Sequence, residues 1–364
     1  MAQQKGGKRS KDAARPRIKE ATTASSQTPP RSNAVTTPII EADIAGARAL
    51  IDPVFLDSPL VQQETIDEQL GCKVALKVET LNPIRSFKGR GTEALMASLH
   101  SKPAHVVTTS SGNFGQGVAR AATRRGIRST IFSADDINPG KLAAMQRLGA
   151  EVRLVPVGED FKAAARQAAV AMGAFYIEDG DHPEIAAGAG TIGMEIIRQA
   201  GVLDAVLVQI GDGALITGIG SWIKATSPGT RVIGVTAKSA PAMRKSLAQR
   251  KPVSATPRTI ADGMAIDTPI ASSINAVAAV IDDIIEVEED ALVDAMALLL
   301  REASLVAEPS GAAGVAAILR NGEMFRTLKV ATIITGGNTR PELLAEAAAR
   351  AKKRVHGDKP EIVA

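Results

Sequence analysis

From about residue 59 onwards, the hydrophobic positions of the chain follow one repeating pattern. A short run rich in β-branched residues is followed by a turn rich in glycine or serine, and then by a segment with apolar residues at helical spacing. Strands that alternate with helices of this length build parallel β-α-β units, so the pattern predicts an α/β fold. The predicted strands cover residues 74–79, 106–109, 129–133, 151–155, 174–177, 205–210, 231–236 and 329–334.

The predicted helices lie between these strands, and the clearest of them cover residues 115–125, 141–148 and 161–172. Apolar residues make up 45% of the chain and aromatic residues only 2%, a mixture that suits small-residue helices packed closely on a sheet. A chain of 364 residues is long enough for one large domain or two interlocked domains.

The first 37 residues do not follow this pattern. They contain eight lysine and arginine residues but only two acidic ones, and their apolar residues form no periodic face. We predict that residues 1–37 form a disordered basic tail, with an organellar targeting peptide as the alternative. Because much of the net charge of +4 lies in this tail, we expect no nucleic-acid partner.

Two further observations limit the location and the chemistry of the protein. No apolar run approaches the roughly 18 residues that a membrane span requires, so we expect no membrane partner. Cys72 is the only cysteine, which excludes an internal disulfide and indicates a reducing compartment, so we expect a cytoplasmic protein. The four histidines show no ligand spacing, and we predict no metal site.

Four turns follow predicted strands whose carboxyl ends meet at one edge of the sheet, where α/β proteins bind their ligands. In the first turn, Ser86 can cap a helix that carries Lys88 in its first turn. The positive end of the helix dipole, with Arg85 and Arg90 nearby, predicts a lowered pKa for Lys88. Such a lysine is suited to form an imine with an aldehyde cofactor, although an ordinary surface lysine fits the same motif.

The other three turns offer groups that bind anions and ring oxygens. The second leads into a helix and adds an amide at Asn113, the third resembles a phosphate-binding turn, and the fourth ends the last strand with a hydroxyl. Each turn alone also fits an ordinary strand-to-helix connection, and only the set indicates one shared ligand. The three turns read Ser110-Ser111-Gly112-Asn113-Phe114, Gly211-Asp212-Gly213-Ala214-Leu215 and Thr335-Gly336-Gly337-Asn338.

Four motifs resemble those of the threonine/serine dehydratases and serine racemases, which belong to the tryptophan-synthase-β-like group (fold type II) of pyridoxal phosphate enzymes. The resemblance runs from about residue 56 to about residue 350. It implies two parallel-sheet α/β domains with pyridoxal 5'-phosphate in the cleft between them: residues 38–104 and 183–364 as the large domain, and residues 105–182 as the small one. The motifs are Ser86-Phe87-Lys88-Gly89-Arg90-Gly91, Ser110-Ser111-Gly112-Asn113, Glu308-Pro309-Ser310-Gly311-Ala312 and Thr335-Gly336-Gly337-Asn338.

The resemblance also implies roles for the residues of the turns, and a homodimer as the assembly. Lys88 would carry the Schiff base and act as a catalytic base, while the Ser111 hydroxyl could serve the opposite face of the substrate. Asn113 would bond the ring oxygen of the cofactor and Thr335 would face its ring nitrogen. The implied cofactor-binding residues are Lys88, Phe87, Asn113, Gly211, Asp212, Gly213, Ala214, Leu215 and Thr335; those for the amino-acid substrate are Ser110, Ser111, Gly112, Asn113 and Phe114.

Several positions depart from the pattern of the family. Asp212 and Ala214 interrupt a run of glycines in the phosphate turn, Phe114 replaces a usual histidine, and Thr236 replaces a metal-binding glutamate of racemases. We expect Asp212 to point away from the phosphate, toward solvent or a cation. A left-handed backbone at Ala214 would cost about 1–2 kcal/mol.

The function that this reading favours is elimination of ammonia from a β-hydroxy amino acid such as threonine or serine, which yields a 2-keto acid. A neutral hydroxyl such as that of Thr335 cannot protonate the cofactor ring, and the poorer electron sink favours prompt loss of the β-hydroxyl. Racemisation and β-replacement, as in cysteine synthesis, remain alternatives on the same fold, and a cofactor-binding protein without catalysis is a remote one. The pattern GxGxxG at residues 188–193 also allows a dehydrogenase, although no clear strand precedes it.

Overall fold

The computed structural model describes residues 39–356, with side chains as far as residue 352. The predicted basic tail, residues 1–37, lies outside the described residues. The strands are β1 Leu60–Val61, β2 Lys73–Val78, β3 His105–Thr109, β4 Arg128–Ala134, β5 Glu151–Val155, β6 Phe175–Ile177, β7 Ala205–Gln209, β8 Arg231–Ala237, β9 Asp283–Val287 and β10 Lys329–Ile334.

The helices connect these strands in sequence, and two single 3₁₀ turns lie at Pro53–Phe55 and Asp262–Met264. The α-helices are α1 Glu41–Leu50, α2 Glu64–Leu70, α3 Lys88–Ser98, α4 Asn113–Arg124, α5 Pro139–Arg147, α6 Phe161–Ala171, α7 Pro183–Ala200, α8 Ala214–Thr226, α9 Ala242–Gln249, α10 Ala271–Val280, α11 Glu289–Ala303, α12 Pro309–Arg320, α13 Gly322–Phe325 and α14 Pro341–His356.

The strands form two sheets. The larger has the order β1-β2-β10-β7-β8-β9, and the smaller has the order β5-β4-β3-β6. All described pairings are parallel except that of β1 with β2, which is antiparallel. The α/β class predicted from the hydrophobic pattern is therefore confirmed, and all eight predicted strands are present with ends within one residue.

Two strands were missed, and each lies at an edge of the larger sheet. β1 has only two residues, too few to show a period. β9 is half exposed because Asp283 and Glu286 face outward, so its pattern mixes charged and apolar residues. Edge strands of this kind carry charges that prevent pairing with other chains, and this weakens their hydrophobic signal.

The pattern GxGxxG lies in the middle of α7 and has no strand before it, so the dehydrogenase reading is wrong. Its glycines serve helix packing. A Cβ on Gly188 would lie 2.6 Å from the carbonyl oxygen of Arg90, and a Cβ on Gly190 would lie 2.9 Å from that of Gly218. Because no Cβ atom intervenes, α7 packs closely against both α3 and α8, the two helices that begin at the first and third turns.

Behind the first turn lies a buried group of charges, here called the anchor cluster: Arg90, Glu79, Glu195 and Lys77. Their side chains are fully buried. Arg90 donates to both oxygens of Glu79 and both of Glu195, at 2.7–2.9 Å, and Lys77 lies 2.6 Å from Glu195. Burial opposes ionisation of Glu195, but Arg90 and Lys77 outweigh it and lower its pKa to about 2. This cluster joins α3 to β2 and α7.

Candidate active site

A cavity of about 390 Å³ lies where strand ends of the two sheets face each other. Its volume is within the range of small-molecule sites. Every residue predicted to contact cofactor or substrate lines it, so the structure brings the four turns together. They do not lie at the edge of one sheet as expected, because the second turn follows β3 of the smaller sheet and the other three follow strands of the larger sheet. The predicted contact residues are Phe87, Lys88, Ser110, Ser111, Gly112, Asn113, Phe114, Gly211, Asp212, Gly213, Ala214, Leu215 and Thr335.

Lys88 is the first residue of α3. The N-cap is Phe87 and not Ser86, although the Ser86 hydroxyl accepts a weak hydrogen bond from the Lys88 backbone N–H at 3.4 Å. The ammonium group of Lys88 pairs with Asp179, which follows β6, and lies 5.2 Å from the centre of the Phe87 ring and 5.4 Å from that of Phe114. Lys88 is therefore held in the cavity by one carboxylate and two aromatic rings.

The predicted lowering of the Lys88 pKa is wrong. Burial favours the neutral amine, but the carboxylates of Asp179 and Asp212 outweigh it and raise the pKa above its usual value. Arg90, which was expected to repel the ammonium, is turned into the anchor cluster. The local sequence showed the two arginines but not the acids that arrive from distant strands.

Asp212 was expected to point toward solvent or a cation; it lies near a cation, Lys88, but inside the cavity and beside a second carboxyl group, Asp179. Burial, followed by the nearby charge of Asp179, raises the pKa of Asp212 to about 7, while Lys88 and Lys162 act in the opposite direction. We call Lys88, Asp179 and Asp212 the lysine cluster. One cation and two carboxyl groups thus share the mouth of the phosphate turn, and one of the carboxyls titrates near neutral pH.

The backbone of the third turn carries no strain at Ala214. Gly213 takes the left-handed conformation with φ 99°, and Ala214 then begins α8 with helical geometry. The cost considered for Ala214 therefore does not arise. The N–H groups in the first turn of a helix have no partner within the helix, and here they open toward the cavity as an anion site.

The second turn is shaped by Ser110. Its hydroxyl accepts hydrogen bonds from the N–H groups of Gly112 at 3.1 Å and Gly115 at 2.9 Å. Gly112 is the N-cap of α4, so the turn presents a helix N-terminus to the cavity, as a carboxylate site requires. Ser111 is exposed on the cavity side, whereas Phe114 is 4% exposed.

Two amides and a carboxylate connect the second and fourth turns. The Asn113 side chain donates from Nδ2 to Oε1 of Glu308 at 2.6 Å. Asn338 donates from Nδ2 to Oδ1 of Asn113 at 2.8 Å. In the fourth turn, the carbonyl of Thr335 accepts from the Phe87 N–H at 3.0 Å, which ties this turn to the start of α3.

Several charged residues that line the cavity were given no role from the sequence, among them Asp179, Lys141, Asp262 and Glu308. Asp179 follows β6, and its position after a strand end is the signal that could have found it. Lys141 lies near the start of α5 and donates to Asp262 at 2.9 Å, while Glu308 precedes α12. Nothing in the local sequence distinguishes Lys141 or Asp262 from surface residues.

The residues present fit pyridoxal phosphate. Lys88 is an amine inside the cavity, α8 offers its N-terminus for the phosphate, and the Thr335 hydroxyl and Asn113 amide offer polar contacts for a ring. One feature disfavours binding of the phosphate. Oδ1 of Asp179 is buried, has no hydrogen-bond partner among the described residues, and would repel an anion. That conflict is reduced because Asp212, its neighbour, holds a proton up to about pH 7.

A lysine in a cleft between two mostly parallel sheets, beside turns that lead into helix N-termini, is typical of an α/β enzyme that uses an aldehyde cofactor. The chain belongs to the family described as pyridoxal-phosphate dependent enzymes, whose model matches residues 51–336. The sequence-based predictions of family and cofactor are thereby confirmed, and the protein is a pyridoxal phosphate-dependent enzyme.

Similar proteins agree with this assignment. The chain is 35% identical over 288 residues to an L-threonine ammonia-lyase of Geobacter sulfurreducens, covering 77% of this chain and 70% of the relative. A threonine deaminase from T.th. has a similar structure, with a TM-score of 0.77 and 33% identity over 83% of this chain and 99% of that one. Maize serine racemase gives a TM-score of 0.80 at 27% identity, over 88% and 100%.

No helix within residues 39–356 is long and apolar enough to cross a membrane. Cys72 is free and buried in the core of the larger sheet, where burial raises the pKa of its thiol to about 11. A thiol in that state is a poor nucleophile, which agrees with the structural role that a lone cysteine suggests.

Proposed function

We propose that this enzyme is an ammonia-lyase that converts a β-hydroxy amino acid, such as threonine or serine, into a 2-keto acid and ammonia. The observation that carries the proposal is the position of Lys88, whose amine shares one cavity with two anion-binding turns. The similarity to an L-threonine ammonia-lyase and to a threonine deaminase supports the same reaction.

In this proposal, the N–H groups from Gly213 to Leu215 hold the cofactor phosphate, with Gly211 and Asp212 completing the turn. Asn113 donates to the ring oxygen, Thr335 faces the ring nitrogen, and Phe87 packs beside Lys88. When bound, pyridoxal phosphate supplies an electron sink that acidifies the α-carbon of an amino acid. The residues of this chain then have to bind the substrate and move its protons.

The turn from Ser110 to Asn113 binds the substrate carboxylate through the N-terminus of α4. This places the α-carbon beside Lys88, whose amine takes the α-proton as general base. The β-substituent then lies against Phe114. Its phenyl ring offers apolar surface and no hydrogen bond, so a methyl group on the β-carbon is favoured there.

Lys88 must lose a proton before its nitrogen can bind the cofactor or act as a base. Asp179 already accepts a hydrogen bond from its ammonium group, and Asp212 lies next to Asp179. Transfer of that proton to a carboxyl group is uphill, because the pKa of Lys88 is raised and that of Asp212 is about 7. An acceptor with a pKa near neutral nevertheless lowers the cost compared with an ordinary carboxylate. The lysine cluster therefore serves as the local proton acceptor for Lys88.

Racemisation of the same substrates is the second candidate, because the exposed hydroxyl of Ser111 lines the cavity from the second turn and a serine racemase has a similar structure. The two reactions give different products. With threonine or serine as substrate, the proposal expects 2-keto acid and ammonia in stoichiometric amounts, with little D-isomer. If D-amino acid were the main product, the reaction would be racemisation and not elimination. A thioether formed in the presence of a thiol would indicate β-replacement.

The proposal includes the division into a large domain, residues 38–104 and 183–364, and a small domain, residues 105–182. In its support, all four strands of the smaller sheet lie between His105 and Ile177.

We also propose a homodimer in the cytoplasm. Light scattering of the purified chain tests the dimer, and a mass of about one subunit would contradict it.

A further inference from the structure

Glu308 is a buried carboxylate that faces the cleft from the start of α12. Its side chain is 6% exposed. Oε1 accepts the hydrogen bond from Asn113, whereas Oε2 has no hydrogen-bond partner within residues 39–352 and lies 3.9 Å from Nζ of Lys141. A buried carboxylate is costly unless its contacts compensate for the lost hydration, so its position needs a physical reason.

The directions of the hydrogen bonds around Asn113 are fixed by a backbone carbonyl. Asn338 Nδ2 donates to the carbonyl oxygen of Ile84 at 2.8 Å, and a carbonyl can only accept. The same nitrogen donates to Oδ1 of Asn113. The oxygen of the Asn113 amide must therefore face Asn338, and its nitrogen must face Glu308, which accepts.

This arrangement leaves one donor of Asn113 for the cleft. An amide nitrogen carries two hydrogens, and among the described residues Asn113 Nδ2 donates to Glu308 alone. Asn113 lines the cavity. Since its oxygen is turned toward Asn338, the amide presents an N–H and not an acceptor to a ligand in the cleft.

We propose that Glu308 and Asn338 are positioning residues, which lock the amide of Asn113 so that its free N–H meets the ring oxygen of the cofactor. The inference rests on the proposed function, in which Asn113 donates to that oxygen. Without Glu308 the amide loses one of the two contacts that hold it and turns more readily, and a carbonyl that faces the ring oxygen repels it.

Gly336 supports the same arrangement from the fourth turn. A Cβ at this position would collide with Oε1 of Glu308 and would lie 3.0 Å from Nδ2 of Asn113. The Glu308–Asn113 pair therefore occupies space that glycine alone leaves open. The backbone of the fourth turn also fixes Glu308, whose N–H donates to the carbonyl of Gly336 at 2.9 Å.

The test compares two cofactors, pyridoxal phosphate and its 3-deoxy analogue, which lacks the ring oxygen. Their affinities are measured by absorbance titration of the full chain freed of cofactor, for the wild type, Glu308→Ala and Glu308→Gln. One hydrogen bond makes the wild type prefer pyridoxal phosphate by about three- to tenfold. The preference falls to about one in Glu308→Ala and is largely retained in Glu308→Gln, which keeps an acceptor oxygen.

A matched control is Glu93→Ala. Glu93 is another buried carboxylate, but it lies on α3 outside the cavity and binds Arg120 and Arg125, each at 2.7 Å. Its loss should lower the melting temperature and leave the preference between the two cofactors unchanged. A purely structural role for Glu308 predicts the same outcome for Glu308→Ala, and that outcome would overturn the proposal.

Asn338→Asp provides a second route if Glu308→Ala does not fold. The aspartate places an acceptor opposite Oδ1 of Asn113, which forces the amide to turn, and the preference should again fall to about one. A retained preference in this variant contradicts the locking of Asn113. Failure of the wild type to bind either cofactor would instead contradict the proposed function.

Discussion

The anchor cluster and the lysine cluster both include a residue from the first turn of α3, but their charges are balanced differently. The anchor cluster around Arg90 pairs two cations with two carboxylates in full burial, with charge-assisted hydrogen bonds throughout. The lysine cluster, only two residues earlier in α3, has one cation for two carboxyl groups, and Oδ1 of Asp179 has no hydrogen-bond partner among the described side chains. Because the charges of the anchor cluster are buried and equal in number, that cluster is a fixed support. The lysine cluster has an excess of carboxyl groups, and one of them can exchange a proton near neutral pH.

This difference explains why neighbouring positions of one motif have separate tasks. A buried charge with complete partners has a pKa far from neutral, as that of Glu195 shows, and it cannot respond to a ligand. A carboxyl group whose pKa is about 7, such as that of Asp212, changes its charge when a cofactor or substrate arrives. Replacing members of each cluster should therefore affect different properties.

The largest effect is expected for Lys88→Ala. The wild type should be yellow from the bound cofactor, and the variant should lose both the colour and the production of 2-keto acid from threonine, because the amine that holds the cofactor is removed. The measurement is the visible spectrum together with the mass of the protein after borohydride reduction. Cofactor mass found on another lysine would remove the assignment of Lys88.

Breaking the anchor cluster should affect stability first. In Arg90→Ala, Glu79 and Glu195 remain buried without their main partner, and we expect a loss of about 3–5 kcal/mol in the free energy of unfolding. Denaturant unfolding of the wild type and the variant measures it. The same substitution at Arg326, an exposed arginine paired with Glu323, is the control and should change the free energy of unfolding far less, because solvent screens an exposed pair. If the two variants lost the same free energy of unfolding, the buried ion pairs of Arg90 would contribute no more to stability than an exposed pair.

Asp212→Asn should sharpen the role of the lysine cluster. Below about pH 7 the carboxyl group of Asp212 is protonated and neutral, and above it the group is charged and repels the phosphate. Relative to that of Asp212→Asn, the affinity of the wild type for pyridoxal phosphate should therefore fall as pH rises from 6 to 8, by roughly tenfold, as about 1.4 kcal/mol of repulsion in a partly solvated site implies. The variant should bind more tightly at pH 8, with a flatter dependence.

The same titration of Asp181→Asn, an exposed neighbour of Asp179, serves as the control, and its pH dependence should match that of the wild type. A ratio of wild-type to Asp212→Asn affinity that stays constant or rises with pH would contradict the repulsion. Asp212→Gly should tighten the binding as Asp212→Asn does, because both remove the charge.

The smallest effect is expected at Phe114. Its buried ring lines the cavity next to Lys88, and burial of one methyl group is worth about 0.8 kcal/mol. Threonine should therefore exceed serine in kcat/KM by roughly fourfold. Phe114→His replaces apolar surface by a hydrogen-bonding ring and should reduce this ratio, measured by keto-acid formation. A wild type that prefers serine would contradict the role given to the ring.

The fold could be predicted from the sequence to a large extent because the signal is local. Eight strands with β-branched cores and glycine-rich ends give the α/β class, and the turns at their carboxyl ends locate the cavity. The weak edge strands β1 and β9 escaped because one is too short and the other is half polar.

The charges of the site could not be predicted, since their partners are distant in the chain. Lys88 and Asp179 are 91 residues apart, and Asn113 and Glu308 are 195 apart. The sign of the Lys88 pKa shift depends on which side chains face it, and the sequence alone showed only the adjacent arginines. Local motifs thus singled out the lysine that lines the cavity but not the acids that face it.

The close contact between α7 and α8 fixes the position of α8 and therefore of the third turn, which leads into it. A Cβ on Gly218 would collide with the carbonyl oxygen of Ala186 and lie 2.6 Å from the backbone nitrogen of Gly190. A side chain at this position would therefore push the whole of α8 away from α7. Gly218 lies one turn from Ala214, where α8 begins, and the displacement would reach the anion-binding N–H groups almost undiminished. The position of the N–H groups at the start of α8 therefore depends on a contact between two helices that lies outside the cavity.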